Sequence, residues 1–268
     1  MQYKALALDL DGTTLVGEDL PEANRLAMRK AADAGLEIII ATARWIEVAH
    51  RIADQVGLDS IAIACSGAQV HDRRAARDVF DHRLPLDFVE ALYAVCNADR
   101  CIATVTVSNE VLLKLDGEPD AAQMGSEMRW VRQLQPSVDD LPRIAAVQGT
   151  AVCQRIKEEL GPQFADRVNI FDSVGPTGRL VLTITAKAAS KGAALEAACA
   201  HLNIQPRDVV AFGDAENDLA MFAIAGASVA MGQAEERIKA VADFVSTANY
   251  EDGVAVAIEH LLTHGSFS

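Results

Sequence analysis

The chain is short of positive charge: 24 lysines and arginines stand against 38 aspartates and glutamates, a formal net charge of −14. Nucleic acid and anionic membrane surfaces both need a basic footprint, so neither is expected as a partner. Global charge leaves a single pocket open, because a metal and a lysine can reverse the sign locally and hold a phosphate. No apolar run approaches the roughly 20 residues of a membrane span. The opening MQYKALALDL holds an apolar run too short for a signal segment and ends in acids. A soluble, cytoplasmic protein is the expectation. The five cysteines, Cys65, Cys96, Cys101, Cys153 and Cys199, form no CxxC pair and read as reduced packing residues. The six histidines form no HExxH motif and read as surface or core residues. Repeats, low-complexity tracts and long linkers are also missing.

What is present is an alternation. Half of the 268 residues are apolar, enough for a full core and two domains. The runs ALALDL, LEIIIAT and SIAIACS are separated by helical patterns over Pro21 to Ala34 and Trp45 to Val56. Short apolar runs between helices are strands buried on both faces, the pattern of a parallel sheet. Beyond Gly67 the rhythm changes. A helix over Leu86 to Asn97 precedes the strand pair CIATVTVS and EVLLKL. A helix near Pro119 to Leu134, an apolar run Ile144 to Val147, a helix near Val152 to Leu160 and the strands VNIFDSV and RLVLTIT follow. Strands joined by short turns predict an antiparallel sheet carrying helices. The alternation resumes with a helix over Ser190 to Leu202, the strand DVVAFGD, a helix over Asn217 to Ile224, the strand ASVAMG, and helices at Glu235 to Val241 and Gly253 to Leu262. The expected architecture is α/β: a Rossmann-like parallel-sheet core formed by residues 1–80 and 186–268, with an inserted α+β domain over 81–185.

Directly behind the first apolar run stands DLDGTTL, with Asp9 and Asp11 one residue apart. On its own DGT is equally a polar turn with an Asx-type bond. Three further stretches lie where parallel strands end, the edge at which such sheets place ligands. IIIATAR ends in Thr42, Ala43 and Arg44; SKGAALEAA puts Lys191 at a helix start; GDAENDLAM carries Asp214, Asn217 and Asp218. Separately these read as a strand-end hydroxyl, a solvated lysine and a helix-capping turn. Together they supply what phosphoryl transfer needs. Residues two apart on an extended chain project to one side, so Asp9 and Asp11 can face one pocket. The repulsion among the acids calls for a cation, and Mg²⁺ takes oxygen ligands from one or two carboxylates plus a substrate phosphate. One carboxylate can then attack phosphorus while the other handles protons. Lys191 and the Thr42 hydroxyl would steady the phosphoryl oxygens.

In this order the four stretches resemble the motifs of the haloacid dehalogenase superfamily, and the insert resembles the large cap of its Cof-type sugar-phosphatase branch. The resemblance extends to the tail segment TANYEDGVAVAIE. It implies Asp9 as nucleophile and metal ligand, and Asp11 as general acid/base that also offers a ligand to Mg²⁺. Asp214 and Asp218 would serve the metal, Thr42, Ala43, Arg44, Lys191 and Asn217 the substrate. Thr14 stands where the family usually has an apolar residue, Ala43 where glycine is frequent, and Ser66 to Ala68 where Asn-Gly-Ala is common. None of these removes a charged group. The implied activity is Mg²⁺-dependent hydrolysis of a small phosphorylated metabolite, foremost a sugar phosphate, with the cap closing over the core and choosing the substrate. A phosphomutase and a silent phospho-metabolite-binding protein are the alternatives.

Overall fold

In the computed structural model, which describes residues 2–115, 117–119, 124, 127–174 and 178–267, the run ALALD forms a strand, β1 (Ala5–Asp9), with every residue buried. Its alternate residues serve two cores. Leu6 and Leu8 pack with helix residues such as Met28, Ile258 and Leu261, while Ala5 and Ala7 pack with Leu195 and Ala198. A strand clad on both faces cannot alternate apolar with polar, which is why these runs are continuous.

After β1 come α1 (Glu22–Asp33), β2 (Glu37–Ala41), α2 (Ile46–Val56), β3 (Ile61–Ala64), β4 (Gln69–Asp72) and β5 (Arg77–Asp81). The chain then leaves for a second compact unit, Asp81–Ala189, and returns to complete the first, which joins Met1–Phe80 to Ser190–Ser268. The second unit holds α3 (Leu86–Ala98), β6 (Ile102–Val107), β7 (Glu110–Lys114), β8 (Met128–Val131), β9 (Ile144–Gln148), α4 (Thr150–Arg155), a π-helical stretch over Ile156–Leu160, α5 (Gly161–Phe164), β10 (Val168–Val174) and β11 (Leu180–Ala186). The first unit is closed by α6 (Lys191–Leu202), β12 (Val209–Gly213), α7 (Leu219–Phe222), β13 (Ala227–Ala230), α8 (Glu236–Lys239), β14 (Phe244–Val245) and α9 (Gly253–His264).

The first unit's sheet has the order β14-β13-β12-β1-β2-β3-β4-β5. It is parallel from β14 to β3, and β4 pairs antiparallel with β3. From β1 the chain builds outward through β2 and β3 on one side and, later, through β12, β13 and β14 on the other. The order therefore reverses between β1 and β12, and a crevice opens at such a switch point beyond the carboxyl ends of the strands. Asp9 and Asp214 both stand there.

In the second unit the order is β10-β11-β9-β6-β7-β8. Ala103, Val105, Ala145, Val147, Leu182 and Ile184 face a core completed by Phe88, Leu92, Ile156 and Phe164 of the helices. Several elements differ from the sequence expectations. The helix expected near Pro119 to Leu134 lies partly outside the described residues, and its described end is strand β8, paired parallel to β7 through Val111 and Met128. Local propensity in MRWV gives way to a free sheet edge. Strands β4 and β5 were hidden by the charged residues of QVHD and RDVFD. The helix expected over Asn217 to Ile224 begins as a 3₁₀ turn over Glu216–Asp218 and is α-helical only over Leu219–Phe222. The second unit runs past Thr185 because β11 continues its sheet to Ala186.

Candidate active site

Asp9 is the last residue of β1 and only 4% exposed. Lys191 opens α6, whose N-cap Ser190 accepts the Ala193 N–H at 3.1 Å. Its ammonium, wholly buried, donates to Asp9 Oδ1 and, at 2.7 Å, to Asp218 Oδ1. The other oxygen of Asp218 accepts the backbone N–H groups of Asp214 at 3.0 Å and Ala215 at 3.1 Å. Asp214 Oδ1 accepts the Thr13 hydroxyl at 2.9 Å. Carboxylate oxygens of Asp9, Asp214 and Asp218 all lie within 4.8 Å of one another.

Two glycines make this approach possible. A Cβ on Gly12, whose φ is +79°, would sit 2.4 Å from Asp214 Oδ2, and one on Gly213 would sit 2.4 Å from the Asp218 Cβ. Any side chain would displace a carboxylate.

Burial and mutual repulsion leave their mark on the acids. Burial pushes Asp9 well above the usual carboxylate range, opposed by the Lys191 charge and reinforced by Asp218 and Asp214. Burial likewise raises Asp214, to about 6, against the Thr13 hydrogen bond and with Asp218 adding to the rise. Burial alone would lower Lys191, but Asp218 and Asp9 hold it above its ordinary value. Three crowded oxygen donors, with the proton affinity of Asp9 and Asp214 raised, fit a hard divalent cation, which would compete with protons for them.

Asp11 goes elsewhere. The chain leaves strand geometry after Asp9, turning through Gly12 with the Thr13 N–H on the Leu10 carbonyl at 3.2 Å. The alternation that would aim Asp11 beside Asp9 ends there. Its carboxylate, 45% exposed, receives Arg44 Nε at 3.0 and 2.9 Å and Arg44 Nη2, while Arg44 Nη1 reaches Glu18 at 2.5 Å. Burial works against the Arg44 charge, but these two acids keep it firmly protonated. Thr42 is buried just past β2, its N–H on the Ile63 carbonyl at 2.8 Å and its hydroxyl accepting the Arg44 N–H at 3.1 Å. Ala43 is half-buried between them, and Asn217 is exposed on the 3₁₀ turn. The structure thus gathers Asp9, Lys191, Asp214 and Asp218 into one contact set, and Asp11 with Arg44 into another.

Sequence reasoning missed the residues that hold the loop after β1. Thr14, noted only as a departure from the family pattern, is buried and donates to the Asp9 carbonyl at 2.5 Å. Asn24 donates to the Thr14 carbonyl at 3.0 Å and accepts the Ala255 N–H at 3.0 Å. Asn249 donates to the Leu15 carbonyl at 2.8 Å, and Gln233 to the Gly12 carbonyl at 2.5 Å. Two of them carried a signal: Asn24 is a polar residue on the buried face of α1, and Asn249 lies in the tail segment TANYEDGVAVAIE.

A sequence profile of the haloacid dehalogenase-like hydrolases matches residues 6–258. The chain belongs to this family. The hydrolase is 28% identical to the 5-amino-6-(5-phospho-D-ribitylamino)uracil phosphatase YcsE of Bacillus subtilis, over 97% of its own length and 96% of the relative's. It is 27% identical to a phosphoglycolate phosphatase of Methanobrevibacter smithii, over 97% and 98% of the two chains. A haloacid dehalogenase-like hydrolase from Bacteroides thetaiotaomicron superposes with a TM-score of 0.84 at 22% identity, covering 97% and 99% of the two chains. The family recognised from four short stretches is therefore that of the chain, a phosphoric monoester hydrolase. No helix among the described residues is long and apolar enough to cross a membrane.

Proposed function

We propose that the hydrolase is a Mg²⁺-dependent phosphatase of small phosphorylated metabolites, foremost sugar phosphates, working through an aspartyl-phosphate on Asp9. The observation that carries this reading is the buried Asp9 carboxylate, held by Lys191 and within 4.8 Å of the oxygens of Asp214 and Asp218. Asp9, Asp214 and Asp218 would hold the metal together with a ligand from Asp11, and the metal supplies charge neutralisation for acids and phosphate alike.

An Asp9 oxygen attacks phosphorus as the ester P–O bond breaks, and the leaving oxygen takes a proton from Asp11. Water then attacks the aspartyl-phosphate, Asp11 takes back a proton, and phosphate leaves with Asp9 restored. Lys191 and the hydroxyl of Thr42 steady the phosphoryl oxygens throughout. To serve the leaving group, Asp11 has to part from Arg44, which frees a guanidinium for the substrate. Asn217 and Ala43 complete the substrate's surroundings, and the unit Asp81–Ala189 acts as the cap that chooses among substrates. The named activities of the two relatives, on a ribitylaminouracil phosphate and on phosphoglycolate, support a small phosphorylated metabolite as the substrate class.

The test is phosphate release from a panel of sugar phosphates, phosphoglycolate and phosphorylated cofactors, in Mg²⁺ and in EDTA, with Asp9→Asn beside the native chain. Hydrolysis should need Mg²⁺ and fall by about 10³-fold or more in the variant. Equal turnover by Asp9→Asn would overturn the nucleophile, and an isomeric sugar phosphate as product would mark a mutase instead.

A further inference from the structure

Away from the acid cluster, three of the five cysteines gather in the core of the second unit. Cys96 sits in the last turn of α3, and Cys101 follows five residues later, just before β6. The Cys101 thiol lies 3.5 Å from the Cys96 carbonyl oxygen, and its sulfur is hydrogen-bonded to the Cys96 thiol. The buried Lys114 ammonium stands 3.7 Å from the Cys101 sulfur, held there by the Asp99 carbonyl at 3.1 Å. A neighbouring lysine charge favours the thiolate, which is the reactive form of cysteine. The hydrogen bond to Cys101, followed by burial, pushes the Cys96 thiol well above its ordinary value. Of the two, Cys96 therefore keeps its proton. Cys153 is turned to the backbone, donating to the Val147 carbonyl at 3.2 Å and to that of Leu180 at 3.6 Å. Among the described residues only Asp9, Asp214 and Asp218 converge closely enough to offer a metal three donors, so the three sulfurs do not form a metal site.

Buried thiols are ordinarily inert, because reagents do not reach them. Cys101, 6% exposed, instead forms part of the wall of a cavity of about 720 Å³. Arg100 and Arg179 line the same cavity against one acid, Glu118, a local excess of positive charge that again favours a thiolate. We infer that Cys101 and Cys96 form an oxidisable pair, in which Cys101 reacts with hydrogen peroxide entering through the cavity and Cys96 converts the product to a disulfide. The Cys101 thiolate attacks peroxide, an S–O bond forms as the O–O bond breaks, and the leaving hydroxide takes up the proton that Cys101 had released. The Cys96 sulfur then attacks the sulfenic acid on Cys101. The S–S bond forms, the S–O bond breaks, and the Cys96 proton leaves with the hydroxyl as water. Two electrons pass from the two thiols to peroxide, which ends as two waters. The bridge would tie the last turn of α3 to the start of β6, and exchange with a free thiol would undo it. Cys65 and Cys199, buried in the first unit, remain packing residues. This inference is independent of the proposed phosphatase activity.

The experiment is hydrogen peroxide treatment of the whole reduced chain near neutral pH, then N-ethylmaleimide alkylation in denaturant and mass spectrometry of the peptides. In the native protein, Cys96 and Cys101 should resist alkylation together, in a peptide lighter by two hydrogens, while Cys65, Cys153 and Cys199 are alkylated. Dithiothreitol should restore alkylation of both. In Cys96→Ser the reaction should stop at the Cys101 sulfenic acid, which dimedone traps. Lys114→Met keeps the side-chain volume and removes the charge, and should slow the first step by about tenfold or more. The native chain decides the matter without any variant. Full alkylation of Cys101 after peroxide, or a bridge to Cys153 instead of Cys96, overturns the inference. Dimedone on Cys65 or Cys199 ahead of Cys101 would do the same, and an unchanged rate in a folded Lys114→Met chain would overturn the role given to the lysine.

Discussion

Replacing Lys191 by methionine keeps the side-chain volume and removes the cation that bridges Asp9 and Asp218. Two carboxylates would then be buried without their partner, and breaking a buried pair typically costs about 3–5 kcal/mol. The acids have an escape, which is to take up protons. Burial already pushes Asp9 upward and Lys191 is what restrains it, so in the variant its folded-state value rises further. An acid raised on folding binds more protons folded than unfolded, so stability falls as pH climbs from the unfolded value through the folded one. Each pH unit across that window is worth about 1.4 kcal/mol per group. The deficit of Lys191→Met should therefore be about 3–5 kcal/mol near pH 8 and clearly smaller near pH 5. Urea unfolding in EDTA at both pH values measures it, with the native chain as reference. An identical deficit at the two pH values, or one below about 1 kcal/mol near pH 8, would refute the claim that the Lys191 charge offsets the burial of Asp9.

Further outcomes follow from the same geometry. Apparent Mg²⁺ affinity should drop as pH falls below about 6, where Asp214 takes up its proton, approaching tenfold per pH unit for one competing proton; activity against Mg²⁺ concentration at several pH values checks this. Gly12→Ala should destabilise the chain by roughly 1–3 kcal/mol and weaken Mg²⁺ binding, because the new Cβ meets Asp214 at positive φ; melting with and without Mg²⁺ separates the two effects. Asn24→Ala leaves the Thr14 carbonyl and the Ala255 N–H unpaired and should cost about 1–3 kcal/mol in urea unfolding, while the remaining ties of the loop through Asn249 and Gln233 keep measurable phosphate release.

By itself the sequence determined the order of the buried strands of the first unit and the placing of acids at their ends. Continuous apolar runs, glycine stops and the spacing of DLDGTTL and GDAENDLAM are local features, and local features survive being read along a line. It also sufficed for the family, because four motifs in one order are far more specific than any one alone. Elements without a continuous apolar run were not legible: β4 and β5 carry charge, although β4 pairs with the β3 just before it, and MRWV became a strand because β7 offered it an edge. The site divided the same way. That Lys191 would touch Asp9, 182 residues before it, that Asn24, Asn249 and Gln233 would pin the loop after β1, and that Asp11 would turn to Arg44, which it shares with Glu18, were decided only by tertiary structure. The physical reason is that a strand's alternation ends with the strand, and beyond Asp9 a side chain's direction depends on the turn and on which distant charge lies within reach.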